Sequence, residues 1–111
     1  MRLDKALTKK IDQTDLKAMS RKSDQAARLL RALSHGARLR VVCELVDGEH
    51  SAGDLVRASG LSQSALSQHL AKLREEKLVV TRRDAQTIYY RIADSRALQV
   101  LKVLYELYCR K

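Results

Sequence analysis

The sequence predicts a mainly α-helical chain with one small β-hairpin, arranged as a winged helix-turn-helix and paired as a homodimer through its terminal helices. Three observations carry that prediction. Residues 51–92 run in order through a short helix, a Gly60-Leu61 turn, a longer helix and a β-prone hairpin. Proline is absent and the four glycines, Gly36, Gly48, Gly53 and Gly60, leave no flexible linker, low-complexity tract or internal repeat. The last helix is apolar on two sides and so needs two partners.

Size and charge narrow the function. A chain of 111 residues fits one domain, with a modest core that oligomerisation would help. Lys and Arg total 22 against 13 Asp and Glu, a formal charge of +9, which suits a polyanionic partner. No apolar run approaches the ~18 residues of a membrane span, and the start, MRLDKALTKK, lacks the apolar core of a signal peptide. The expectation is a cytoplasmic protein whose polyanion is nucleic acid, with no membrane partner.

Leu3, Leu7 and Ile11, spaced by four, suggest a peripheral first helix, followed by polar residues through Lys22. Residues 1–22 are expected as a helical extension, and residues 23–111 as the winged helix-turn-helix domain. A second helix over residues 23–33 places Ala26, Leu30 and Leu33 on one side. Leu39, Val42, Cys43 and Val46 follow an amphipathic helical spacing that ends at Asp47-Gly48, with Gly48 as the left-handed cap and Cys43 facing apolar surroundings.

The helix-turn-helix starts at Ser51-Ala52-Gly53-Asp54, which has the form of a capping box. Ser62 is the cap of the second helix, over residues 62–77, with Leu61 and Leu66 as a hydrophobic staple that fixes its entry angle. Leu66, Leu70 and Leu73 form the inward stripe. Gln63, Ser64, Ser67, Gln68, Ala71 and Lys72 are left outward, with short hydrogen-bonding groups suited to a major groove, although a solvated helix face would have the same pattern. Residues 78–81 and Thr87–Ile92 are expected to pair as the wing, across a loop carrying Arg82 and Arg83, which could neutralise phosphates or enter a minor groove. A merely solubilising hairpin is the alternative.

After a cap at Asp94 or Ser95, Leu98, Leu101, Tyr105 and Tyr108 form one seam of the last helix and Val100, Val103, Leu104 and Leu107 another. One seam can pack on its own domain and the other would be exposed in a monomer, so a two-fold homodimer is expected, reading half-sites about 34 Å apart.

The segment from Arg31 to Ile92 resembles the ArsR/SmtB winged-helix repressors. The likeness rests on Arg31-Ala32-Leu33-Ser34, Ala37-Arg38-Leu39-Arg40, Gly60-Leu61-Ser62-Gln63-Ser64, Ser67-Gln68-His69-Leu70, Leu73 and Tyr89-Tyr90-Arg91. It implies a bacterial homodimer that binds double-stranded operator DNA and leaves it when an inducer binds, with residues 62–77 as the recognition helix. Many members sense metals. Their Cys-x-Cys motif would fall here at Ser51 and Gly53, and of the Asp/His set of the final helix only Asp94 is present. His35, His50 and His69 show no ligand spacing with either cysteine, so neither a metal site nor a cofactor is expected.

Cys43 and Cys109 resemble the dithiol of the persulfide-sensing, SqrR/BigR-like branch, in which a di- or polysulfide bridge releases genes for sulfide oxidation. The resemblance implies redox-sensing roles for both residues and reactive sulfur species as inducer; a metal-responsive or general redox regulator, or an HlyU-like activator, is the alternative. From the residues alone the pair could also be inert core cysteines or a permanent staple, the staple being disfavoured in a reducing cytosol. Arg40 would favour a Cys43 thiolate and apolar packing would oppose it; Arg110 and Lys111 would favour a Cys109 thiolate and the helix C-terminus would oppose it. An enzyme acting through a reactive cysteine is disfavoured, since there is no Cys-x-x-Cys motif and no His and acid are placed to assemble a nucleophilic site. An RNA- or protein-binding winged helix could share the same basic surface.

Overall fold

The computed structural model describes residues 11–109. Its elements are α1 (Gln13–Leu33), α2 (Gly36–Glu44), β1 (His50–Ser51), α3 (Ala52–Ser59), α4 (Gln63–Glu75), β2 (Val79–Asp84), β3 (Thr87–Ile92) and α5 (Ser95–Tyr108). The strands form one antiparallel sheet in the order β1-β3-β2. This is a winged helix-turn-helix: α3 and α4 are the reading pair, and β2 and β3 are the wing. The two-residue strand β1 is too short to leave a pattern in the sequence.

The helix expected over residues 23–33 begins ten residues earlier. Asp12 accepts from the Asp15 amide at 3.0 Å and Asp15 accepts from the Asp12 amide at 3.1 Å, a reciprocal box that starts α1 without help from apolar periodicity. The expected helix through Leu3 and Leu7 lies outside the described residues. Leu29 packs on the core beside buried Ala32 and Leu33, while Leu30, expected inward, is exposed. Leu16 and Met19 also stand in solvent.

In α2 the inward face is Ala37, Val41, Val42 and Leu45, one step out of register with the expected Leu39, Val42, Cys43 and Val46. Leu39 is only half-buried, and Cys43 and Val46 are exposed. The helix also stops at Glu44 and closes through Leu45, with φ −93°, so Gly48, at φ 145°, serves the following turn rather than a left-handed helix cap.

The core joins α2, α3 and α4 around Val41, Leu45, Leu55, Leu66, Leu70 and Leu73, and is closed by Leu78 and Val79 of the wing and by Ala97 and Leu101 of α5. The α4 helix ends two residues before the expected Lys77. Lys77 takes φ 62°, its amide donates to the Arg74 carbonyl at 2.9 Å, and the Leu78 amide donates to the Leu73 carbonyl at 2.9 Å. That is the double bond of a Schellman motif, with buried Leu78 folded back near Leu73, and it turns the chain from α4 into β2. In α5, Asp94 caps the first turn and Ala97 and Leu101 face the core, but Tyr105 and Tyr108, expected on the Leu101 seam, are exposed together with Val103 and Leu107.

Candidate nucleic-acid interface and thiol pair

Gly60 ends α3 in the left-handed region, at φ 72°, where a side chain would be strained, and the chain re-enters a helix within three residues. The Ser62 hydroxyl then accepts from the Ala65 amide at 3.2 Å and starts α4. The Ser59 hydroxyl, buried under the turn, accepts from the Leu61 amide at 3.2 Å. With Leu66, Leu70 and Leu73 buried, the helical period places Gln63, Ser64, Ser67, Gln68, Ala71 and Lys72 together on the exposed side. That face offers two amides, two hydroxyls and one ammonium on a rigid scaffold.

In the wing the two arginines lie elsewhere than expected. β2 continues through Asp84 and the connection is the two-residue turn Ala85-Gln86, so Arg82 and Arg83 belong to a strand rather than a loop. Arg82 pairs across with Tyr89 and Arg83 with Ile88, which sends the two side chains to opposite faces of the sheet. Both are exposed, but Arg82 is engaged. Its Nε donates to Glu49 Oε1 at 2.9 Å and to Oε2 at 3.0 Å, its Nη2 donates to Oε1 at 2.5 Å, and its Cζ lies 4.5 Å from the centre of the Tyr89 ring. The hydrogen bond from Arg82 holds the Glu49 carboxyl below its ordinary range against some desolvation, and the charges of Arg82 and Arg91 add to the effect. Sequence reasoning missed Glu49, which lies 33 positions from Arg82. Only the pairing of β1 with β3, Ser51 against Tyr89, brings the two near each other.

His69, half-buried on α4, meets His35 with ring centres 4.9 Å apart and planes tilted by 50°. The His35 Nδ1 accepts from the Ala37 amide at 3.2 Å and so caps α2. Desolvation, and then electrostatic interaction with His35, Arg38 and Arg40, hold the His69 imidazole below its ordinary pKa. The reading helix therefore rests on the start of α2.

Cys43, in the last turn of α2, and Cys109, at the end of α5, are both exposed and unbridged. Partial burial, then the charge of Cys109, then that of Glu44, push the Cys43 thiol pKa up. Arg40, expected to favour the thiolate, is not among these influences. The neighbours Arg110 and Lys111, expected to act on Cys109, lie outside the described residues. The charge of Cys109 acts on Cys43 although their positions are 66 apart in the chain. Among the described residues no three His, Cys, Asp or Glu side chains converge as a metal site, and no helix is long and apolar enough to cross a membrane.

A capped recognition-type helix over a buried leucine stripe, followed by a wing, defines a DNA-binding transcriptional regulator of the winged helix-turn-helix class. Residues 35–81 match the family of bacterial regulatory proteins known as the arsR family. The chain is 43% identical over 91 residues to the biofilm growth-associated repressor of Xylella fastidiosa (strain Temecula1 / ATCC 700964), covering 82% of this chain and 80% of that protein. It is 43% identical over 96 residues to the transcriptional activator HlyU of Vibrio cholerae, covering 86% and 89%. The crystal structure of the repressor BigR from Xylella fastidiosa superposes with a TM-score of 0.81 at 41% identity, over 86% of this chain and 97% of that one. Reduced HlyU from Vibrio cholerae superposes with a TM-score of 0.80 at 42% identity, over 85% and 99%. The chain belongs to the ArsR family; its relatives are regulators, not enzymes.

Proposed function

We propose that this chain is a dimeric operator-binding repressor of the bacterial cytoplasm, and that Cys43 and Cys109 sense reactive sulfur species and derepress genes for sulfide detoxification. The observation that supports the sensor reading is a pair of exposed thiols, at the ends of α2 and α5, of which one raises the pKa of the other. The names of its relatives include both repressors and an activator, and repression is the reading that the chemistry below serves.

The reaction balances without a further oxidant. A low-molecular-weight persulfide transfers its outer sulfur to one cysteine and leaves as a thiol. The second cysteine thiolate attacks the protein-bound sulfur of the resulting Cys–S–SH and expels hydrosulfide, which closes a disulfide. If both cysteines carry persulfides, condensation releases hydrogen sulfide and leaves a trisulfide. A direct disulfide needs Cα atoms within roughly 7 Å, and longer sulfur chains tolerate a wider gap.

Bridging would tie the end of α2 to the end of α5. Because α2 is capped by His35, which touches His69 of α4, a displaced α2 would shift the reading helix. The exposed Leu16, Met19 and Leu30 of α1 and Val103, Tyr105, Leu107 and Tyr108 of α5 supply the apolar surface for a second copy. The radius of gyration of 16.2 Å, against about 13 Å for a compact domain of this size, agrees with helices that reach out to a partner. An allosteric coupling of ~1–3 kcal/mol would weaken operator binding 5- to 150-fold. Gln63, Ser64, Ser67, Gln68 and Lys72 are assigned to the DNA contact, with Arg82 and Arg83 at its flank.

The test is mass spectrometry of the protein after treatment with inorganic polysulfide. A peptide pair joined through Cys43 and Cys109 by two or more sulfurs is expected within one protomer. Persulfides confined to one cysteine, with no joined pair, would overturn the mechanism.

A further inference from the structure

We propose that Glu49 is a specificity-determining residue of the DNA-binding surface, acting by fixing and shielding Arg82; the proposal rests on the DNA-binding reading above. Arg82 is held on two sides. Its Nε and Nη2 edge is occupied by both carboxylate oxygens of Glu49, at 2.5 to 3.0 Å, and Tyr89 covers a guanidinium face at 4.5 Å. Among the described residues no hydrogen bond involves Nη1, so the Nη1 end of the fork is the part left to meet a ligand. A guanidinium has five donors in a rigid plane, and a carboxylate that satisfies one edge orients the other.

The pairing has opposite effects on two classes of DNA contact. A backbone phosphate that approaches Arg82 also meets the negative charge of Glu49, so a sequence-independent contact is penalised. An uncharged base edge suffers far less repulsion, and benefits from a fork already ordered before DNA arrives. The difference between these affinities is specificity. An exposed ion pair contributes little to folding, so a structural role alone does not account for a carboxylate set against the one wing arginine that already has an aromatic support. Glu49 sits just before β1, and the pairing of Ser51 with Tyr89 and of Arg82 with Tyr89 brings carboxylate, ring and guanidinium together.

The experiment compares wild type, Glu49→Gln, Arg82→Lys, Arg82→Ala and Glu49→Gln/Arg82→Ala. Each is titrated against the duplex that the wild-type protein enriches most from a random library, and against a scrambled duplex, at one fixed salt concentration. Glu49→Gln is expected to bind the scrambled duplex about fourfold more tightly, the Coulomb effect of a single charge near a phosphate in a water-like dielectric. It should gain nothing on the enriched duplex, so the ratio of the two affinities falls. Arg82→Lys keeps the charge but cannot form the fork, and should also lower the ratio. In the Arg82→Ala background Glu49→Gln should leave the ratio unchanged. Thermal melts establish that each variant folds. An unchanged or higher ratio in folded Glu49→Gln, or a drop that persists without Arg82, overturns the proposal. If the wild-type protein enriches no duplex at all, the DNA-binding reading fails instead.

Discussion

The junction between α4 and the wing allows the same chemical substitution to be tested with opposite expected signs. Lys77 holds the left-handed position of the Schellman motif at φ 62°, where an L side chain costs roughly 1–2 kcal/mol and glycine costs almost nothing sterically. Lys72, five residues earlier, is exposed in the interior of α4, where lysine is preferred over glycine by about 1 kcal/mol. Both substitutions to glycine remove one positive charge near the C-terminus of the same helix, so the dipole contribution is lost from each. Lys77→Gly should therefore be more stable than Lys72→Gly by about 2 kcal/mol. For a domain of this size that corresponds to on the order of 10 °C in Tm. The assay is thermal denaturation followed by circular dichroism at one protein concentration, since the proposed dimer would make Tm concentration-dependent. Equal melting temperatures, or Lys72→Gly melting higher, would refute the conformational assignment.

Three further outcomes follow from the geometry. Replacing Cys109 by serine removes a negative charge that raises the Cys43 pKa, so the alkylation rate of Cys43 by iodoacetamide should reach its half-maximum at lower pH than in a protein with both thiols; an unmoved or higher midpoint would contradict their proximity. His50 Nε2 donates to the Asp47 carboxylate at 3.0 Å, and that hydrogen bond, chiefly, raises its pKa, so this pair stabilises the fold fully below the unfolded histidine pKa of about 6.5 and the contribution is lost as pH rises through the higher folded value. His69 has the opposite sign: its depressed pKa means stability is lost as pH falls below about 6.5, and His69→Gln should flatten that acid limb in urea titrations across pH 5–8.

The reading pair was legible because its signals are local. Ser62 as cap, Gly60 in the turn and the Leu66, Leu70, Leu73 stripe are each set by neighbours within four residues, and the structure places all of them as expected. The start of α1 was hidden because residues 13–22 are mostly polar; a capping box of two aspartates does what apolar spacing usually signals. In α2 two phases of the 3.6-residue period compete, and packing against α3 and α4 selects Val41 and Leu45 over Cys43 and Val46. The second strand of the wing has its expected bounds, whereas the first runs three residues beyond the expected Thr81, because Ala85-Gln86 lacks the Asn-Gly or Asp-Gly signature of two-residue turns even though Ala85 takes φ 56°. The Glu49–Arg82 pair and the His35–His69 contact join residues more than 30 positions apart, so they follow from strand register and helix packing rather than from sequence pattern.

If sulfur chemistry at Cys43 and Cys109 controls DNA binding, as proposed, operator affinity must change when the thiols react. The most direct measurement is fluorescence anisotropy with the DNA upstream of the gene, comparing fully reduced and polysulfide-treated protein, and including the Cys43→Ser and Cys109→Ser variants. Tight binding by reduced protein is expected, with a loss of about tenfold or more after treatment, equivalent to about 1.4 kcal/mol, and no loss in either variant. Equal binding before and after treatment of the wild-type protein, or release that persists in the variants, would contradict it.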